Sequence, residues 1–247
     1  MELAPHLRRI GDGVVNCYLV EDGGSITVLD TGMAGQYGDL QREVAAMGRT
    51  MADIRGAVLT HGDTDHIGFA GRLHTELSVP VYIHAADAPR ARGEVRKPST
   101  GWGPIKVGPF LGFMAYGLRK GGLRTPKVAE LQTVSDGTTL DLPGSPRLIS
   151  VPGHTPGSVA LHVPWVSALF MGDAFTTRSV LTGETGPRLA PFTLDRTAAL
   201  VSLDRLDDVE ASWMLPGHGD AWTGGVAEAL RQIRDAVAGE PARPAKS

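Results

Sequence analysis

His61, Asp63, Asp65 and His66 lie within the six residues His61-Gly62-Asp63-Thr64-Asp65-His66, and all four side chains can bind a metal ion. The preceding Ala57-Val58-Leu59-Thr60 is a short apolar run of the kind that forms a buried strand. The following Ile67 to Leu77 carries apolar residues at helical spacing, with Gly68 and Gly71 near its start. The cluster is therefore predicted on a strand-to-helix turn, where alternate side chains can converge on one point. Imidazole nitrogens with carboxylate oxygens suit Zn²⁺, Fe or Mn better than Ca²⁺ or Mg²⁺. Aspartate also caps helices, so the competing reading of Asp65, ranked below the metal one, is the N-cap of the next helix.

The same arrangement recurs further along the chain. Gly153-His154-Thr155-Pro156-Gly157 follows the apolar run Leu148–Val151, and Gly172-Asp173 follows Ser167–Phe170. Pro216-Gly217-His218-Gly219 follows Trp213-Met214-Leu215. Each His or Asp stands at the end of a strand-like run beside glycine, which lets the backbone turn tightly. Repetition of this pattern is hard to explain by packing alone.

On these residues the chain resembles the metallo-β-lactamase superfamily, whose pattern is His-x-His-x-Asp-His followed by a loop His, a strand-end Asp and a final His. Asn16 to Thr31 also looks like the family's opening strands, ending in Leu29-Asp30-Thr31-Gly32. The resemblance implies an α/β fold of the αββα sandwich type, two mixed sheets between helical layers, with metals at the edge where the sheets meet. It implies that His61, Asp63 and His154 hold a first metal, that Asp65, His66 and His218 hold a second, and that Asp173 bridges them. Asp30 matches a family position that supports the metal-binding turn. Two divalent ions are expected, Zn by family habit.

Asp63 departs from the pattern, because most members have a second histidine there; the related flavo-diiron proteins carry a glutamate. Asp63, Asp65 and Asp173 set three negative charges against two divalent ions, and a bridging hydroxide would bring the site to neutrality. The all-histidine version would retain one positive charge. The extra carboxylate is expected to weaken Lewis acidity and to favour Fe or Mn over Zn. The alternative is that aspartate, shorter than histidine, leaves the first position weak.

Composition narrows the setting. A chain of 247 residues can bury one substantial core, and a single domain over 1–247 is expected. The net charge of −3, with no dense basic block, is no case for a nucleic-acid partner. Cys17 is the only cysteine and sits in the apolar run Val14–Val20, so it reads as a buried strand residue. No signal segment or membrane span is recognised, and the expected location is cytoplasmic. The partner expected is a small-molecule substrate; the oligomeric state is left open.

Alternating runs predict strands at Val14–Val20, Ile26–Asp30, Ala57–Thr60, Val79–Ile83, Leu131–Val134, Thr139–Leu142, Leu148–Val151, Ser158–Val163, Ala168–Met171 and Ser212–Leu215. Helices are predicted over Gln36–Met47, after His66, over Leu194–Leu206 and over Gly225–Val237. The stretch 89–127 is rich in Gly, Pro and basic residues yet holds Trp102, Phe110, Leu111, Phe113, Met114 and Tyr116. It reads either as an ordinary helical insertion with Phe110 and Met114, and with them Phe113 and Gly117, on one face, or as a lid over the metals. The tail 239–247 is polar and expected to fray.

The expected activity is that of a metal-dependent hydrolase. The metals would lower the pKa of a water from near 16 to roughly 7, and the hydroxide would attack an ester, lactone, thioester or amide carbonyl. Asp65 would orient it and shuttle a proton. A lactone or ester is preferred on chain size. A non-catalytic ligand-binding or regulatory protein and a di-iron redox-type site are the alternatives. A β-lactamase ranks below them because it would usually carry an export signal and a cation for the drug carboxylate. Arg178 and Arg188 could meet a substrate carboxylate, though exposed arginine is the commoner reading; His74 and His84 read as structural and His162 as a packed or surface strand residue.

Overall fold

Val28 and Leu29 face opposite ways, as do Leu19 and Val20, and that alternation decides the architecture. The structure, a computed structural model, describes residues 1–96, 98, 103–123 and 127–239. Its first sheet has seven strands paired in chain order: β1 (Glu2–Ala4), β2 (Leu7–Ile10), β3 (Cys17–Asp22), β4 (Ser25–Leu29), β5 (Ile54–Leu59), β6 (Val81–His84) and β7 (Gln132–Val134). β1 to β4 pair antiparallel and β4 to β7 pair parallel. Helices α1 (Tyr37–Ala46) and α2 (Ala70–Leu77) make the parallel connections, as a crossover requires. The next segments are α3 (Ala88–Ala91) and α4 (Val107–Arg119).

The second sheet contains β8 (Arg147–Ser150), β9 (Val159–Val163), β10 (Ala168–Gly172) and, after a small hairpin β11 (Thr176–Arg178) and β12 (Thr185–Arg188), β13 (Trp213–Pro216). Helices α5 (Arg196–Ser202) and α6 (Val226–Ala238) complete it. Tyr18, Val20, Leu29 and Val58 of the first sheet meet Leu148, Leu161, Phe170 and Leu215 of the second in one core. The opposite faces bury Leu19, Val28 and Leu59 under α1 and α2, and Leu169, Met171 and Met214 under α5 and α6. The layers therefore run helix, sheet, sheet, helix, which is the αββα sandwich. Because both faces of each sheet are covered, the central strands are apolar at consecutive positions.

Several boundaries differ from the sequence reading. β1, β2, β11 and β12 are short strands without a clear apolar alternation and were not expected. Thr139–Leu142 is no strand; it contributes one bridge, from Thr139 to Arg147. The helix expected over Leu194–Leu206 tightens into a 3₁₀ turn at Leu203–Leu206, after Asp195 caps α5 by accepting the Ala198 N–H at 2.8 Å. Of the tail, residues 240–247 lie outside the described residues, as does Trp102. No helix is long and apolar enough to cross a membrane among the described residues.

Candidate metal centre

Strand direction brings the separated candidates to one place. β8 and β10 both run antiparallel to β9, and β13 runs parallel to β10, so β8, β10 and β13 end on the same side. His154, Asp173 and His218 follow those three ends, and His61 to His66 follow the end of β5 in the facing sheet. All seven predicted residues meet at this edge. His61, Asp63 and His154 form one group of donor atoms mutually within 4.8 Å, and Asp65, His66 and His218 form another. Asp173 lies between them: Oδ1 is 3.4 Å from His66 Nε2, and Oδ2 is 3.7 Å from His154 Nε2 and 3.3 Å from His218 Nε2.

Each imidazole is oriented from behind. His66 Nδ1 lies 2.9 Å from Asp30 Oδ2, a carboxylate that can only accept, so Nδ1 carries the proton. Thr60 Oγ1 donates to the same Asp30 oxygen at 2.7 Å and is left to accept from His61 Nδ1 at 3.0 Å. Thr193 Oγ1 donates to the Ala190 carbonyl and accepts from His154 Nδ1 at 3.3 Å. His218 Nδ1 donates to the Val14 carbonyl. With Nδ1 engaged from behind, all four Nε2 atoms face the centre, as ligating histidines require.

The centre's chemistry fits a cation. His61 Nε2, His66 Nε2 and Asp173 Oδ1 are buried and have no hydrogen-bond partner among the described residues. Orphaned buried polar atoms are costly unless a bound group satisfies them. The fields are steep: burial, reinforced by neighbouring His66, pushes the His61 pKa well below the usual value. Burial would lower His218 as well, but Asp173 outweighs it and raises the imidazole to about 9. Burial would raise Asp173, and the adjacent His218 and His66 instead hold it well below the usual carboxylate range.

Two glycines make room for this edge. Gly172 has φ of 49° and a Cβ there would lie 2.2 Å from Thr60 Oγ1. A Cβ at Gly217 would lie 2.5 Å from both Asp173 Oδ1 and His66 Cε1. Glycine at these strand ends therefore holds the sheets close enough for their ligand loops to touch.

Besides Thr60 and Thr193, three supporting residues escaped the sequence reading. Asp87, fully buried, accepts Gly62 N–H at 2.7 Å and Thr155 Oγ1–H at 2.8 Å on Oδ2, and Gly157 N–H at 2.8 Å on Oδ1. It ties the His61 loop to the His154 loop. Asn16 Nδ2 donates to the Pro216 and Gly219 carbonyls at 3.2 and 2.7 Å, clamping the His218 loop. Arg90 Nη1 donates to Asp63 Oδ1 at 2.9 Å. Asp87 and Arg90 flank Pro89 and so look like an ordinary helix start; only the polar side chains hint otherwise.

Comparison with known proteins agrees with the arrangement. The family model described as the metallo-beta-lactamase superfamily matches residues 10–218. The chain belongs to that superfamily. It is 26% identical over 228 residues to the probable metallo-hydrolase YflN of Bacillus subtilis, spanning 85% of this chain and 83% of that one. A crystal structure of the metallo-beta-lactamase family protein TTHA1429 from Thermus thermophilus superposes with a TM-score of 0.69 at 24% identity, over 96% of this chain and 81% of that one. A crystal structure of TTHA1623 in a di-iron-bound form gives 0.61 at 26% identity, over 92% and 97%. A superfamily hydrolase with His/Asp groups suited to divalent metals is therefore the coarse description of this protein.

A cavity of about 240 Å³ opens beside the centre of this superfamily member, lined by Asp65 and Thr64 and by Met33, Phe113, Met114, Leu118, Leu123 and Phe192. α4 supplies Phe113, Met114, Gly117 and Leu118 to that wall. Phe113, Met114 and Gly117 of the expected face are in this wall, joined by Leu118 where Phe110 was expected, and Tyr116 and Phe113 anchor the helix against Val15 and Met33. Phe113 stands edge-on to His218 with centroids 6.4 Å apart. Arg178 lines a different cleft, and Arg188 pairs with Glu184 at 2.9 Å. His74 Nδ1, His84 Nδ1 and His162 Nε2 lie within hydrogen-bond distance of backbone groups of Val79, Ala86 and Glu210.

Proposed function

We propose that this protein hydrolyses a small ester, lactone, thioester or amide whose carbonyl adjoins an apolar group. The observation that carries the reading is two donor triads with Asp173 between them, beside an apolar cavity that Asp65 lines. His61, Asp63 and His154 would hold one divalent ion, Asp65, His66 and His218 a second, with Asp173 between them. Bound there, the ions would acidify water and polarise the substrate carbonyl. Asp65 is the one carboxylate of the cluster that also lines the cavity, with Oδ2 3.4 Å from His218 Nε2. It would orient a water and accept its proton. Met33, Phe113, Met114, Leu118, Leu123 and Phe192 would exclude bulk water and receive the apolar group, with α4 acting as a lid.

The described residues lining the cavity include Asp65 and neither Lys nor Arg. That balance favours neutral esters and lactones over a substrate with its own carboxylate, and places β-lactams behind them. Zn is the preferred ion by family. A di-iron occupancy is the second reading, favoured by the Asp63 carboxylate and by the di-iron form of TTHA1623. The lone buried Cys17 suits a reducing, cytoplasmic location.

The test is chelation and reloading with Zn²⁺, Mn²⁺ or Fe²⁺, followed by assay on p-nitrophenyl esters and lactones of increasing chain length. Activity is expected to vanish and return, and kcat/KM to rise with chain length. Phe113→Ala should lower kcat/KM for the longer substrates by roughly tenfold while leaving the shortest nearly unchanged. A fully loaded protein inactive across the panel would favour the ligand-binding alternative.

A further inference from the structure

Asp63 reaches towards the first donor group with only one of its oxygens. Oδ2 lies 3.2 Å from His154 Nε2 and 3.7 Å from His61 Nε2, while Oδ1 accepts the Arg90 guanidinium at 2.9 Å. The Arg90 and Asp63 side chains retain only 10% and 16% exposure, so solvent screens this pair weakly. Arg90 belongs to α3, whose preceding residue Asp87 is pinned to both the Gly62 and Gly157 backbones. The guanidinium is thus delivered by a segment locked to the same loops that carry His61 and His154.

We infer that Arg90 is a positioning residue for the first metal position, making Asp63 a neutral, one-atom donor. This rests on the metal-hydrolase reading. Aspartate paired with guanidinium carries no net charge and presents one oxygen, Oδ2, to the first donor group, as a neutral imidazole presents one nitrogen. Arg90 thereby cancels the extra negative charge that Asp63 brings to the centre. Held by its other oxygen, the carboxylate is also kept from chelating with both atoms, the habit that suits larger, harder ions. The selectivity expected from Asp63 alone, towards Fe or Mn, is turned back towards Zn²⁺.

The experiment is titration of metal-free protein with Zn²⁺ and Mn²⁺ against a competing chelator, with Co²⁺ absorption spectra to follow ligand geometry and no activity readout. Arg90→Met should shift the ratio of Zn²⁺ to Mn²⁺ affinity about tenfold or more towards Mn²⁺ and change the Co²⁺ spectrum. Arg90→Lys, which keeps the charge, should retain most of the wild-type ratio. Arg90→Gln keeps a donor to Oδ1, so it tests the loss of charge with less disturbance of the fold. Asp63→His with Arg90 retained sets an unpaired guanidinium beside a divalent ion. Its Zn²⁺ affinity should fall about tenfold or more below that of the Asp63→His/Arg90→Met double variant.

Equal affinities in those two variants, or Arg90→Met and Arg90→Gln that lose unfolding stability with unchanged ion selectivity, would overturn the inference. Wild-type protein that binds neither ion would overturn the metal-hydrolase reading as well. Wild-type protein that loads two ions while all variants match it would overturn this inference alone.

Discussion

Asp30→Asn tests the claim that the centre is organised from behind its ligands. Asp30 accepts three hydrogen bonds, from Thr60 N–H at 2.7 Å, Thr60 Oγ1–H at 2.7 Å and His66 Nδ1–H at 2.9 Å. It does so from a left-handed backbone, φ 56°, which asparagine also tolerates, so the substitution alters chemistry more than shape. An amide has one accepting oxygen where the carboxylate has two. Turned one way, its NH₂ faces the Thr60 N–H; turned the other, it faces the Thr60 hydroxyl and the His66 Nδ1–H. At least one bond to a charged acceptor is lost in either case, worth about 1.5–3 kcal/mol each. In the second orientation His66 also gains from moving its proton to Nε2, the atom that faces the centre. Zn²⁺ affinity should therefore drop about 10–100-fold, the range for loss of a group that orients a ligating histidine. Competitive chelator titration measures the affinity, and urea unfolding of the metal-free protein measures the stability. Zn²⁺ affinity within twofold of wild type, with stability unchanged, would refute the view that Asp30 sets the His66 tautomer.

Two further outcomes follow from buried groups outside the ligand set. Asp87→Ala should destabilise the metal-free protein by more than about 3 kcal/mol in urea unfolding, since three hydrogen bonds to a buried carboxylate disappear. Hydrogen exchange at Gly62 and Gly157 should accelerate in the same variant. Cys17 is fully buried, and burial pushes its thiol well above the usual pKa, with Asp30 adding to the effect. Iodoacetamide at pH 8 should leave it unmodified in the native protein and label it after denaturation, as mass spectrometry would show; rapid native labelling would contradict the burial.

The ligand set was readable because its local grammar is strong. His61 to His66 are contiguous, and His154, Asp173 and His218 each follow an apolar run with glycine alongside. Strand ends are where side chains leave a sheet without being buried in it, so a polar residue there invites a chemical reading. The αββα arrangement was legible through family resemblance, and the alternation of Leu19 with Val20 or Val28 with Leu29 is consistent with it. The short strands β1, β2, β11 and β12 were not, because so few residues carry no period.

What stayed hidden were contacts between segments that only docking brings together. Arg90 and Asp63 are 27 residues apart, and Asp87 reaches Gly157 across 70. In the sequence Asp87-Ala88-Pro89-Arg90 looks like a capped helix start within a polar insertion. Nothing local distinguishes a guanidinium aimed at a carboxylate from one aimed at water. The chain by itself determined which atoms can bind metal and that strands end beside them. The tertiary structure decided which nitrogen of each histidine faces the centre, and how the charge of Asp63 is balanced. It did so because a tautomer and an ion pair depend on neighbours that are close in space and remote along the chain.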